Sequence, residues 1–351
     1  MKGSAGRERP HLFGLRAPGV VAALRAAGVE ATEAEARRIL AHVVSEGRDD
    51  LELKRPVRRA LRAAVEATFE RAPLEVVSRV EDPADGFVRY VLRSPDGAES
   101  EAVRIPLHKP GRFSVCLSSQ VGCAMACAFC ATGRLGLTRN LAAWEIVSAF
   151  RTVQREAPGR VTGAVFMGQG APLHNADEVL RAASILRDPC GGRIAAEAIT
   201  ISTVGLLGAI RRYTAEGHPY RLIVSLTSAL PERRRRLLPV AGRVPLEELA
   251  AAIRAHAAAR GGRVTVAWVL LGGVNHDPEE VEALEALLGD VPLRLNLIDV
   301  NGDLGFRRAT DAERNGFLDR LQVLGAPVVR RYSGGQGRDA ACGMLRAARS
   351  R

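Results

Sequence analysis

The stretch Phe113-Ser114-Val115-Cys116-Leu117-Ser118-Ser119-Gln120-Val121-Gly122-Cys123-Ala124-Met125-Ala126-Cys127-Ala128-Phe129-Cys130 decides the reading of this chain. Its first five residues predict a strand. Three cysteines then crowd into the segment that follows. Downstream, strand-like runs recur at Val161–Met167, Ala198–Ser202, Leu222–Leu226, Val264–Leu271 and Leu293–Ile298. Helical periodicity fills the gaps at Ala142–Glu156, Ala176–Arg187, Leu206–Glu216, Pro245–Ala259 and Pro278–Leu288. Strand–helix alternation of this kind specifies an α/β fold with a parallel sheet. Six units fit an open or partial (β/α)6 barrel, since a full eight-stranded barrel takes roughly 250 residues. A last helix, Asp311–Leu324, and a strand, Ala326–Arg331, precede the C-terminal segment. In such folds the loops after the strands carry the chemistry, which is where the cysteines stand.

On the N-terminal side, residues Gly19–Arg71 show apolar positions at helical spacing, with Gly28 and Gly47 as punctuation. The segments Val76–Val80, Phe87–Leu92 and Glu101–Ile105 read as strands, with Ser94-Pro95-Asp96-Gly97 as a turn. The expected organisation is a helical N-terminal domain over 1–72, a β-rich connector over 73–112, and the partial barrel with a C-terminal catalytic loop over 113–346. The 351 residues, 47% hydrophobic and 25% charged, are ordinary globular usage. No run of ~18 uncharged apolar residues suggests a membrane span. The first ten residues lack the apolar core of a signal peptide. The expected location is therefore the cytoplasm, where clustered cysteines point to metal binding or catalysis before disulfides. The net charge is +11, and of the 50 basic residues all but Lys2, Lys54 and Lys109 are arginine. Such a surface attracts polyanions, RNA among them. An arginine-rich, alanine-rich composition also arises from genome base content, so charge permits an RNA partner without proving one. The run Arg233-Arg234-Arg235-Arg236 reads equally as an RNA contact or as a solvated helix face.

The motif Cys123-x3-Cys127-x2-Cys130 carries the chemistry. Iron–sulfur clusters are held by thiolates. Three cysteines leave one iron of a four-iron cubane without a protein ligand. That corner can chelate the amino and carboxylate groups of S-adenosylmethionine (SAM), whose sulfonium is then split to a 5′-deoxyadenosyl radical. This spacing marks the radical SAM superfamily. The competing reading is a structural zinc with Cys116 as the fourth ligand. Structural zinc generally pairs distant C-x2-C units or adds histidines, and the closest histidine here is His108.

The residues around the motif narrow the reading. Ser118-Ser119-Gln120-Val121-Gly122-Cys123, Arg139-Asn140-Leu141, Phe166-Met167-Gly168-Gln169-Gly170, Ile201-Ser202-Thr203, Ser225-Leu226, Asn296-Leu297-Ile298 and Asp339-Ala340-Ala341-Cys342-Gly343 occur in this order. Together they resemble the RlmN/Cfr family of radical-SAM RNA adenine methyltransferases, over about residues 15–346. The resemblance implies a 4Fe–4S cluster on Cys123, Cys127 and Cys130, with SAM as the second cofactor. It implies methylation of an adenine ring carbon in rRNA, and in some members tRNA. Cys342 matches the cysteine that carries the methyl group, and Cys116 the one that resolves the RNA adduct through a transient disulfide. Glu101 matches the general base. SAM contacts carry over to Gly170, Ser202, Ser225, Leu226, Thr227 and Asn301. Cys190 has no counterpart and reads as structural. The chain departs from the family at Ala171, where Gly-Ala-Pro replaces Gly-Glu-Pro, and at Thr227, where Ser-Leu-Thr replaces Ser-Leu-His. The lost glutamate would receive the SAM ammonium. The expectation is a divergent member acting on RNA as a monomer, with an electron donor such as flavodoxin. The alternatives are a radical-SAM enzyme acting on a peptide or small molecule, and a non-catalytic RNA-binding iron–sulfur paralogue.

Overall fold

The computed structural model describes residues 9–301, 304–331 and 334–345. Three helices open the chain: α1 (Ala17–Ala26), α2 (Glu33–Leu40) and α3 (Arg59–Thr68). Helix α2 starts on a capping box, in which the Thr32 hydroxyl accepts from the Glu35 N–H (3.2 Å) and Glu35 accepts from the Thr32 N–H (2.9 Å). Strands β1 (Glu75–Glu81), β2 (Val88–Arg93), β3 (Glu99–Pro106) and β4 (Arg112–Leu117) follow as an antiparallel meander. Two short strands, β5 (Gln120–Gly122) and β6 (Leu137–Asn140), pair as a separate hairpin.

The β/α series then runs α4 (Ala143–Glu156), β7 (Arg160–Phe166), α5 (Ala176–Arg187), β8 (Ile199–Thr203), α6 (Leu207–Ala215) and β9 (Arg221–Ser225). It continues with α7 (Pro231–Leu237), α8 (Leu246–Arg260), β10 (Val264–Leu270), α9 (Pro278–Leu288), β11 (Leu293–Asp299), α10 (Asp311–Arg320) and β12 (Val328–Arg331). From β4 onward, β4 and β7 to β12 pair with one another in parallel. The six expected β/α units are present, and β12 joins as a further strand beside β11. The hairpin β5–β6 and helix α7 escaped the sequence reading.

The sheet is one mixed ten-stranded layer, ordered β1-β2-β3-β4-β7-β8-β9-β10-β11-β12. Its two ends do not pair, so the barrel is open. The connector strands are continuous with the β/α strands through the β3–β4 pairing. Burial follows the pleat. On β10, Val264, Val266, Trp268 and Leu270 lie in the main core, while Ala267 joins Ile223 and Ile298 in a separate cluster on the concave face. The helices cover the convex face with apolar stripes, for example Val179, Ala182, Ala183 and Leu186 on α5.

The N-terminal helices share this core. His11 stacks on Trp144 of α4 with ring centroids 4.1 Å apart. The buried Arg151 of α4 lies 3.9 Å over the Phe13 ring and donates to the Val43 carbonyl (2.6 Å) and to Asp49 (2.9 Å). At the open side, residues 334–345 bridge the gap. The Gly335 N–H donates to Asp85 (2.8 Å), and Ala340 and Leu345 pack with Phe87, Val103 and Cys116. The Arg331 guanidinium reaches the Met167 sulfur across the same gap. Among the described residues, no helix is long and apolar enough to cross a membrane.

Candidate active site

The three motif cysteines sit on the loop of the β5–β6 hairpin, at the end of the barrel where the parallel strands finish. Gly122 has φ +74°, and a Cβ there would run into the Gly136 carbonyl oxygen. That carbonyl accepts from the Cys123 N–H (2.8 Å), which closes the loop at its base. The Cys130 N–H donates to the Cys127 carbonyl (3.1 Å). The loop is fastened from three directions. The Ala128 N–H donates to the Leu237 carbonyl at the end of α7 (3.0 Å), the Ala131 N–H to the Gly343 carbonyl (2.8 Å), and the Thr132 hydroxyl to the Leu345 carbonyl (2.6 Å). Arg139 of β6 ties the hairpin outward. It forms paired bonds to Asp96 in the β2–β3 turn (2.6 and 3.0 Å) and to the buried Glu145 of α4 (2.8 and 2.9 Å).

All three thiols line one open cleft of about 1040 Å³, counting its solvent-facing mouth. Burial raises the pKa of each, and the neighbouring thiolate charge raises it further at Cys123 and Cys127. Among the described residues, no three His, Cys, Asp or Glu side chains converge tightly enough to chelate a single ion. A cubane is wider than an ion, and its thiolates stand correspondingly further apart. Its shell here is apolar: Met125, Ala171, Val204, Leu206 and Val240 on one side, Phe129, Leu237 and Leu238 on the other. Cys116 is not a fourth member. It lines an adjoining cavity of about 450 Å³, counting its open side, and not the cleft of the motif thiols, so among the described residues the four cysteines form no compact zinc site. The donor set and its dry shell therefore fit a cluster with one open iron.

The rest of the cleft is built from strand ends. Gly170, Ala171, Ser202, Ser225 and Asn301, among the residues expected to contact SAM, line it. Gly170 has φ +102°, and a Cβ there would meet Ser119 and Gln120. The Ser202 hydroxyl donates to the Phe166 carbonyl (2.7 Å). Asn301 is held at both ends of its amide: it donates to the Cys342 carbonyl (3.1 Å) and accepts from Arg308 (2.6 Å). Leu226 and Thr227 do not reach the cleft. Leu226 is a core residue, and Thr227 is fully buried at φ +63° with its hydroxyl unpaired. Gln169 is also buried, and both atoms of its amide lack partners. It is absent from the cleft lining, so it does not stand in for the missing glutamate at Ala171.

Cys116 and Cys342 come together. Both line the 450 Å³ cavity with Phe87, Val103, Met167 and Arg331, while Cys342 also lines the cluster cleft. The thiol of Cys342 thus stands between the cluster loop and Cys116. Burial, then the negative charge of Cys342, pushes Cys116 up to about 12, against a lowering pull from Arg331. Glu101 lies on the same face of β3 as Val103. It is buried and ion-paired to Arg89 at 3.5 Å, set back from both cavities. Cys190 lies apart, packed on the outer side of the core.

Sequence reasoning missed Asp299, which lines the cleft and pairs with Arg314 (3.4 Å) and Arg330 (3.1 Å). Its position at the end of β11 was the available signal. It also missed Arg234, the second arginine of the four-arginine run. That residue is 1% exposed. Its guanidinium donates to the carbonyls of Val204 (2.8 Å), Ser225 (3.2 Å) and Leu226.

The segment 117–288 matches the family described as the radical SAM superfamily. The chain is 52% identical to a probable RNA methyltransferase of Anaeromyxobacter sp. (strain Fw109-5), over 89% of this chain and 92% of that one. It is 44% identical to a probable dual-specificity RNA methyltransferase RlmN of Synechocystis sp. (strain ATCC 27184 / PCC 6803 / Kazusa), over 74% of each. Its fold superimposes on a radical SAM methyltransferase from Sphaerobacter thermophilus with a TM-score of 0.89 and 35% identity, covering 97% of this chain and all of the other. The superfamily's cofactors are a 4Fe–4S cluster and SAM, in agreement with the thiol set and the cleft. An open α/β sheet, three thiols at its carboxyl end and this likeness over nearly the whole length lead to one assignment: the chain belongs to the radical SAM superfamily and, within it, to the RlmN-type RNA methyltransferases.

Proposed function

We propose that this methyltransferase methylates an adenine ring carbon of RNA through an S-methylated Cys342, with Cys123, Cys127 and Cys130 as the cluster ligands. The observation that carries the reading is the position of Cys342, which borders both the cluster cleft and the cavity of Cys116. The adenine carbon and the SAM methyl are both electrophilic, so direct transfer fails. A cysteine intermediate removes the difficulty. The cluster, when loaded, supplies the electron that splits SAM to a carbon radical. Cys342 first takes a methyl group from one SAM, giving up its thiol proton. Its S-methyl carbon then loses a hydrogen atom to the radical and forms a bond to adenine, and the adduct radical becomes closed-shell by returning one electron to the centre that supplied it and losing the adenine proton. The Cys116 thiolate attacks the Cys342 sulfur and breaks its bond to carbon. The released carbon takes up a proton to become the methyl group of the base, leaving a disulfide that an external thiol must reduce. Glu101, on the face of β3 that Cys116 adjoins, removes the adenine proton. Gly170, Ser202, Ser225 and Asn301 hold SAM against the cluster loop. Leu226 and Thr227 act behind this wall by shaping the end of β9, and Ala171 leaves the SAM ammonium without a carboxylate. The RNA is rRNA or tRNA, and the protein works as a cytoplasmic monomer with a low-potential donor such as flavodoxin.

The test is mass spectrometry on anaerobically reconstituted protein. Wild type should show a methylated peptide at Cys342 and methyladenosine in treated RNA. The Cys342→Ala variant should keep its iron and still make 5′-deoxyadenosine, yet methylate nothing. Active enzyme without a methyl on Cys342 would refute the reading.

A further inference from the structure

The four arginines of α7 occupy four different environments. Arg233 pairs with Asp277 and Glu280 at 2.8 Å each, and Arg235 pairs with Glu232 at 2.6 Å. Arg236 is exposed. Arg234 alone is buried, and no carboxylate among the described residues pairs with it. Its partners are three backbone carbonyls, and its Nε–H has none. A buried cation without a counter-ion costs free energy, and proteins normally avoid it. Neutral donors would serve the carbonyls equally well, so the charge itself needs a reason.

One of the carbonyls it serves belongs to Val204, which packs with Cys127, and the charge of Cys127, once ionised, acts on this guanidinium. Helix α7 also meets the cysteine loop directly through the Leu237 carbonyl and Ala128 N–H, and Leu237 and Leu238 pack with Cys127 and Phe129. The helix thus fixes the guanidinium against the loop that bears the cluster ligands.

We propose that Arg234 is an electrostatic positioning residue whose fixed positive charge raises the midpoint potential of the cluster held by Cys123, Cys127 and Cys130. This rests on the assignment of those three cysteines as ligands. Three thiolates make the loaded centre anionic, and reduction adds one more negative charge. A fixed cation in a poorly screened setting stabilises the reduced form more than the oxidised one. Arg234 therefore makes the electron easier to accept from an external one-electron reductant. It also supplies the counter-ion relation that the apo protein lacks.

The experiment is a mediated dithionite titration of reconstituted full-length protein, with the reduced cluster followed by electron paramagnetic resonance. The proteins are wild type, R234Q, R234M, R234K and R236Q. R234Q and R234M should titrate at least 59 mV more negative, a tenfold lower ratio of reduced to oxidised cluster at a given potential for a one-electron couple. R234K keeps the charge and should stay near the wild-type value. R236Q removes the same charge from a solvent-exposed position on the same helix and should not move it. Neutral variants that load iron and titrate with wild type would overturn the proposal. So would failure of both neutral variants to load iron, which assigns Arg234 a structural role. Wild-type protein without iron would instead refute the ligand assignment.

Discussion

Two residues with the same functional group are set apart by their surroundings. Cys116 and Cys342 share a cavity, but burial pushes Cys116 up to about 12. Cys116 is therefore a protonated thiol at neutral pH, and its thiolate fraction grows as pH rises toward that value. Iodoacetamide labelling of the apo protein should accordingly be slow at Cys116 at pH 7 and accelerate with each pH unit up to 10, as followed by peptide mass spectrometry. Flat labelling across that range would contradict the burial argument. Ala171 poses a second residue-scale question. It borders the cleft at the position where the resemblance implies a glutamate for the SAM ammonium. Restoring the carboxylate with Ala171→Glu should add a charge-assisted hydrogen bond of about 1.5–3 kcal/mol. Equilibrium dialysis should then find SAM bound roughly tenfold tighter or better. The motif cysteines were legible in the sequence because their spacing is local. The isolation of Gln169 was not, since the direction of its side chain is set by how residues 168–170 lock onto Ser118–Gln120.

The element that carries the site is the β5–β6 hairpin, and a single arginine braces it. Arg139 spans Asp96 and Glu145, and Glu145 is almost wholly buried. Removing the guanidinium leaves that carboxylate with the Ser94 hydroxyl and the Ala142 N–H alone. Arg139→Ala should cost about 2–3 kcal/mol, near the lower end for breaking a buried pair, because Arg139 itself is partly solvated. Urea denaturation should record the loss, together with poorer iron retention. Helix α2 tests pH dependence at the same scale. The Arg58 guanidinium and the Thr32 N–H hold Glu35 down at about 2. Its stabilising contribution is present above the ordinary glutamate range and fades as pH falls toward 2. Thr32→Ala should remove about 1 kcal/mol at neutral pH by breaking the capping box. The sequence foretold most strands and helices from periodicity alone. It did not foretell the hairpin, whose strands are too short for an alternation signal, nor the bounds of α7, whose arginine run reads equally as an RNA contact or a solvated helix face.

At the scale of the molecule, the open barrel is closed by the chain's own C-terminal segment. Residues 334–345 connect Asp85 and Phe87 of the meander to Asn301 and the cysteine loop. The meander strands therefore border the site, bringing Val103 and Cys116 to its edge with Glu101 set back behind them. Charge acts at this scale too. The net +11 should make RNA binding weaken linearly on a log–log plot as salt rises. The four-arginine run should contribute little, since Arg233 and Arg235 are ion-paired and Arg234 is buried. Filter binding with Arg235→Gln/Arg236→Gln protein should change the salt slope by less than about one unit, the amount expected for one phosphate contact. A larger change would make α7 an RNA-contacting face.

The cluster motif, the β/α alternation and the family resemblance are legible in the chain before folding, because each is written in spacings of a few residues. Only long-range packing brings Cys116 and Cys342 to one cavity, buries Arg234 among backbone carbonyls, and keeps Leu226 and Thr227 out of the cleft lining. Those outcomes depend on which distant elements pack together. A side chain's partners and solvation are fixed only when the sheet curls and the C-terminal segment crosses its open edge.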